Sequence, residues 1–177
     1  EPAPHAPPLF FHSGTPTQAQ WATAASQIEM AAETHLHQYV VTPPTPWEEG
    51  AQRSDVLNTI QRVVDEDPQA AVLLKIDLNP PEEWLETHEG HAIRIGSQDR
   101  AYPSPTSEEW LSAARAALKT LVTGVEASPF RERVLGYVLT ALHDGAWHHQ
   151  DGHDVSAINL EGFRRWLRLM YSDDASI

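Results

Sequence analysis

The sequence predicts an α/β fold, a parallel (βα)4 unit that amounts to half of a TIM barrel. Three observations carry this. Short apolar runs alternate four times with amphipathic stretches, the runs are too continuous for half-exposed strands, and Gly, Pro, Ser and Asp mark the boundaries between them. Alternation of this kind implies right-handed βαβ crossovers and a sheet covered by helices. The expected domain spans residues 9–177, behind a Pro-rich tail at 1–8, EPAPHAPP.

Taken in order, Leu9 to His12 is the first strand, ended by Ser13-Gly14. Thr17-x-x-Gln20 then reads as a capping box for a helix with Trp21, Ala24, Ala25, Ile28 and Ala32 at helical spacing. Gln38 to Val41 is the second strand, closed by the Pro-rich stretch Thr42 to Trp47, which can continue neither a ladder nor a helix. Ser54 is placed to cap the next helix, whose apolar face is Val56, Leu57, Ile60, Val63 and Val64 and which Asp67-Pro68 stops.

Ala70 to Leu78 is the third strand, and its alternation is informative. Leu74, Ile76 and Leu78 fall on one side, Lys75, Asp77 and Asn79 on the other. In a barrel the apolar side meets the helices and the polar side points inward. From Pro80 to Pro105 no periodicity stands out, which predicts a long functional loop. Thr106-x-x-Glu109 reads as a capping box for a helix with Trp110, Ala114, Leu121 and Val125 inward. Val134 to Leu142 is the fourth strand, opening into His143-Asp144-Gly145-Ala146-Trp147. The last helix starts near Ser156 with Leu160, Phe163, Leu167 and Met170 on one face.

A chain of 177 residues with 41% hydrophobic content and six Trp is long enough for one domain with a real core. The formal net charge of -13 argues against nucleic acid and against an anionic membrane surface, and is compatible with a neutral substrate such as a sugar. No stretch approaches the roughly 18 apolar residues a membrane helix requires, so a soluble protein is expected. The absence of cysteine excludes disulfides and thiolate chemistry. The Pro-rich start suits either the mature terminus of a secreted or periplasmic protein or excision from a longer polypeptide.

Gly136-Tyr137, Gly145-x-Trp147, Asp154-x-Ser156-x-x-Asn159 and Phe163-Arg164-x-Trp166-Leu167-Arg168-x-x-Tyr171 form a recognisable series. The series resembles the fourth strand and fourth helix of the clan A glycoside hydrolase barrel, and is most similar to family 42 β-galactosidases and their relatives. The resemblance covers residues 9 to 171 but only the first four of that family's eight units. It implies a glutamate between Gly145 and Trp147 as general acid/base, where this chain has Ala146. It also implies an arginine where this chain has Lys75, and a nucleophile after the seventh strand that has no counterpart here.

A retaining glycosidase needs a proton donor and a second carboxylate about 5 to 5.5 Å apart, and an alanine methyl supplies neither. The resemblance therefore implies a catalytically impaired half-barrel that keeps a carbohydrate cleft. Its expected lining is His12, Trp47, Asn79, His143 and Trp147, with Asp77 and Asp144 as the nearest candidates for catalytic carboxylates. Trp47, Trp84 and Trp147 stand near strand carboxyl ends, where indoles stack on sugar rings, whereas Trp21, Trp110 and Trp166 lie on helices and are expected in packing.

Four strands left open have unpaired first and fourth edges. A twofold homodimer that pairs the fourth strand with the first strand of another copy restores eight strands; the alternatives are a second, non-identical half-barrel chain or an open sheet whose inner face the 80–105 loop covers. In the homodimer a second reading is an active glycosidase, with Asp144 as acid and Asp77 of the other copy as nucleophile. A third is a structural, oligomerising module without ligand. No cofactor is expected. His143, His148, His149 and His153, interleaved with Asp144, Asp151 and Asp154, are weak metal candidates, since their spacing matches no metal signature and a solvated loop is the simpler reading. The acidic runs, Asp65-Glu66-Asp67 among them, are expected on solvated faces and helix ends.

Overall fold

The structure, a computed structural model, describes residues 11–12, 21–44, 47, 52–95, 98–142, 145, 147 and 152–171. In chain order the elements are β1 (Phe11–His12), α1 (Trp21–Glu33), β2 (Gln38–Val41), α2 (Gln52–Glu66), β3 (Ala71–Asp77), α3 (Glu82–Thr87), β4 (Ala92–Ile95), β5 (Gln98–Pro103), α4 (Glu108–Glu126), a 3-10 turn (Arg131–Arg133), β6 (Val134–Thr140) and α5 (Ala157–Met170). The protein is thus a mixed α/β fold with a parallel sheet and helices. Among the described residues no helix is long and apolar enough to cross a membrane.

The chain forms two compact units, one of residues 1–77 and 120–139, the other of residues 78–119 and 140–177. The first holds the sheet, in the order β1-β2-β3-β6. Its β1 and β2 are parallel, with Phe11 opposite Tyr39 and His12 opposite Val40. β2 and β3 are parallel as well, from Gln38 opposite Ala71 to Val41 opposite Leu74. The Arg133 guanidinium, just before β6, donates to the Ala70 carbonyl just before β3 at 3.3 Å.

The alternation of β3 is realised in burial. Val72, Leu74 and Ile76 are at most 1% exposed, while Ala71, Leu73, Lys75 and Asp77 on the opposite face are half-buried. Tyr39 and Val41 of β2, Ile28 of α1, and Val56, Ile60 and Val63 of α2 are buried in the same unit. Each apolar side chain of this size withdrawn from water contributes about 1.5 to 3 kcal/mol. β6 departs from the pattern, since Leu135, Val138 and Leu139 remain exposed.

Asp67 closes this unit and corrects the expectation of a solvated acidic run, being only 2% exposed. Its carboxylate accepts from the Tyr39 hydroxyl at 2.8 Å, from His37 Nδ1 at 2.8 Å and from the Gln69 amide at 2.9 Å. Burial alone would raise its pKa; the bonds from His37, Tyr39 and Gln69, with the His37 charge, outweigh it and hold the carboxyl below its ordinary value. Burial, aided by Asp67, drives the Tyr39 hydroxyl the other way, upward. α2 begins at Gln52, so Ser54 lies inside the helix and does not cap it.

The second unit overturns the expectation of a structureless Pro80 to Pro105 loop. That stretch holds α3 and the antiparallel pair β4 and β5, with Ile95 opposite Gln98. α4 is capped by Ser107, whose hydroxyl accepts from the Trp110 amide at 3.1 Å, one residue later than the Thr106 box implied. Trp110 is 1% exposed, as a packing residue should be, whereas Trp166 is 48% exposed and is not.

Asp154 binds this strand pair to the start of α5. Its Oδ1 accepts from the Arg94 amide at 3.0 Å and the Ser156 amide at 2.9 Å, its Oδ2 from the Ser104 hydroxyl at 2.7 Å. The Asn159 side chain donates to the Asp154 carbonyl at 2.7 Å, and Ser156 caps the helix. At Gly162 the helix passes so close to the 104–106 turn that an added Cβ would lie 2.9 Å from Thr106 Cβ.

Replacing Asp67 with Ala should cost about 2 to 3 kcal/mol at neutral pH, because Tyr39, His37 and the Gln69 amide together lose the carboxylate they share. Since the folded-state pKa is the lower one, this stabilisation is complete above the ordinary 3.8 and drains away as pH falls below it. Urea midpoints should therefore fall on acidification in the parent, and fall less steeply in Asp67→Ala.

Candidate functional site

The loop after β6 is set up by one side chain at the end of β3. The carboxamide of Asn79 accepts from the Leu142 amide at 2.8 Å and donates to the Leu142 carbonyl at 3.1 Å. This reciprocal pair continues beyond the Leu78 amide, which donates to the Thr140 carbonyl at 2.8 Å. Both ends of the Asn79 amide are therefore engaged in holding backbone. The Trp110 indole NH adds to the same corner by donating to the Leu78 carbonyl at 3.0 Å.

Beyond this clamp the chain turns sharply. Leu142, Gly145 and Trp147 have φ of 62°, 71° and 59°. A left-handed leucine or tryptophan is disfavoured and persists only where its surroundings over-determine it. Here Gly145 donates to the Leu142 carbonyl at 3.3 Å and Trp147 to the Ala141 carbonyl at 3.1 Å. A Cβ on Gly145 would stand 2.8 Å from Thr140 Cβ, so the position has neither the conformation nor the room for a side chain. Trp147 emerges from this turn 47% exposed, its ring tilted at 48° to that of Trp110 with centroids 6.3 Å apart.

His12 stands in β1 opposite Val40. Asp77 is the last residue of β3, half-buried on the face it shares with Lys75, and Trp47 is half-buried after β2; all three belong to the first unit. Asn79 and Trp147 belong to the second unit, Asn79 bonded to Leu142 and the Trp147 amide to the Ala141 carbonyl. His143, Asp144, Ala146, His148, His149 and Asp151 lie outside the described residues. His153 is exposed, and among the described residues no three His, Asp or Glu side chains are placed to share a metal ion.

Two groupings escaped the sequence reading. In the second unit the Trp84 indole stacks on the His88 ring, with centroids 3.9 Å apart and an interplanar angle of 7°, and His91 meets both rings edge-on. One face of Trp84 is thus taken by a neighbour within the chain. His88 Nδ1 donates to the Trp84 carbonyl at 2.7 Å, His91 Nδ1 pairs with the Ser107 hydroxyl at 2.8 Å, and His91 Nε2 lies 3.5 Å from Glu109 Oε2. Ser, His and Glu in a row suggest a nucleophilic triad, but Ser107 is 0% exposed and caps α4, so it cannot reach a substrate. The i, i+4 spacing of Trp84 and His88 was the available signal.

In the first unit the Arg62 guanidinium lies 3.8 Å over the Trp21 ring. The two residues line a cavity of about 240 Å³ with Thr42, Asp55, Asn58 and Thr59. Three of these stand at helical spacing along α2, beside its apolar stripe.

Asn79→Ala should destabilise the chain by about 1 to 3 kcal/mol and speed hydrogen exchange at the Leu142 amide, because the backbone donor and acceptor both lose their partner. Gly145→Ala should cost a similar amount, about 1 to 3 kcal/mol, from its positive φ and the Thr140 contact; chemical denaturation measures both. Comparison with protein-family models, with curated proteins and with solved structures finds no match for this chain.

Proposed function

We propose that this chain is a carbohydrate-binding half-barrel of the glycoside hydrolase type whose own catalysis is impaired. The observation that carries this reading is Trp147, an indole held 47% exposed by a turn with three left-handed residues just past β6. Backbone strain of this kind gathers at ligand sites. An indole face with polar neighbours suits a neutral sugar ring, and a chain with a formal charge of -13 suits neutral ligands better than anionic ones. Ala146, between Gly145 and Trp147, removes the proton donor that the resemblance implies at this place, so binding without turnover is the expected behaviour.

The sheet order β1-β2-β3-β6 is compatible with one half of an eight-stranded barrel, and Leu135, Val138 and Leu139 of β6 are exposed. The half-barrel completes itself as a homodimer, with β6 of one copy meeting β1 of the other.

Isothermal titration with galactose, lactose and cello-oligosaccharides tests the binding function. The parent should bind one of them, and Trp147→Ala should bind it about tenfold less tightly. No heat from the parent with any of the three would overturn the reading. An aryl galactoside should not be turned over; turnover that Asp77→Asn abolishes would favour an active glycosidase assembled across two copies.

A further inference from the structure

α2 carries a polar stripe beside its apolar one. Asp55, Asn58, Thr59 and Arg62 follow one another at i, i+3, i+4 and i+7, so they share a face next to the buried Val56, Ile60 and Val63. With Trp21 and Thr42 they line the cavity of about 240 Å³ in the first compact unit. Drug-sized ligands occupy about 300 to 1,000 Å³, so this space suits one small molecule of the size of a sugar ring.

Arg62 sets the charge of the occupant. Its guanidinium lies 3.8 Å over the Trp21 ring and forms no ion pair with a carboxylate among the described residues, although acids outnumber Lys and Arg by 25 to 12. Stacking uses the face of a guanidinium and leaves its N–H donors in the plane, where they can fork a carboxylate through two parallel bonds. Asp55 on the same lining, and a formal charge of -13 on the chain, penalise any further negative charge. A ligand with one carboxylate is therefore favoured over a phosphate dianion.

The rest of the lining calls for donors. The Asp55 carboxylate only accepts, and the Thr59 hydroxyl already donates to the Asp55 carbonyl at 2.8 Å, which leaves its lone pairs for a ligand. Asn58, exposed between them, offers both kinds of group. Asp55 and Arg62 stand two turns apart, about 10.5 Å along the helix axis. An α-amino acid keeps its ammonium on the atom beside the carboxylate and cannot serve both ends. A uronic acid can, because its hydroxyls are spread round a ring and its carboxylate projects from one edge.

We infer that this cavity binds a hexuronate, with the carboxylate forked by Arg62 and the hydroxyls donating to Asp55 and Thr59. The cavity belongs to the first unit and Trp147 to the second, so the inference does not rest on the function proposed above.

Isothermal titration with sodium galacturonate and sodium glucuronate tests it, with galactose, serine and inorganic phosphate alongside. At least one uronate should bind the parent, and Arg62→Gln should weaken it about tenfold or more by removing the fork. Asn58→Ala, at an exposed position, should weaken it about threefold, whereas Trp147→Ala should leave it unchanged. Urea unfolding checks that each variant is folded; where Arg62→Gln is not, Asn58→Ala decides, and uronate affinity indifferent to it overturns the inference. No heat from the parent with either uronate, or uronate affinity indifferent to a folded Arg62→Gln, overturns it as well. So does galactose, serine or phosphate bound as tightly as the uronate and weakened equally by Arg62→Gln.

Discussion

The primary amide of Asn79 does for Leu142 what an adjoining strand would do, offering one donor and one acceptor to a single residue's backbone. Few side chains can replace it. A carboxylate lacks the donor, an aliphatic chain lacks both groups, and a glutamine carries an extra methylene that shifts the pair out of register. The course of the chain from 142 to 147 depends on this contact. It holds Leu142 in the left-handed region, brings the Leu142 carbonyl to the Gly145 amide, and delivers Trp147 beside Trp110. Elsewhere in the same unit Asp154 plays a comparable part, its two oxygens drawing Arg94, Ser104 and Ser156 together.

The strands were the most legible part of the fold. Gln38 to Val41 and the core of β3 come from apolar runs with clear alternation, because a period of two leaves little freedom once one face is buried. Helix starts were read less well. Thr106 and Ser107 both suit a cap, and the choice between them depends on Asn159, 53 residues away, which takes up the Thr106 hydroxyl at 3.4 Å. The pairing of β4 with β5 was missed because Ile93 and Ile95 offer only one step of alternation before Gly96-Ser97, too short a signal against Arg and Gln neighbours.

The end of β6 was legible in the sequence, and the contacts made beyond it were not. The apolar run ending in a polar, Trp-bearing stretch located the turn at 142–147. The engagement of Asn79, however, is with a residue 63 positions on, and periodicity says nothing at that separation. Burial of Asp67 was equally hidden, since a carboxylate in an acidic run reads as solvated until Tyr39 and His37 supply its donors. The Asp154-x-Ser156-x-x-Asn159 series that supports the glycoside hydrolase resemblance is occupied with capping and tethering.

Neither compact unit is a continuous length of chain: the first takes residues 1–77 and then 120–139, the second takes the interval between and everything after. During vectorial synthesis the amino-terminal strands must wait until β6 has left the ribosome before their unit holds all its parts, while 78–119 emerge with their complement still unmade. The apolar faces of β2 and β3 therefore stay uncovered while residues 78–119 are being made, the interval in which chaperones would be of greatest use.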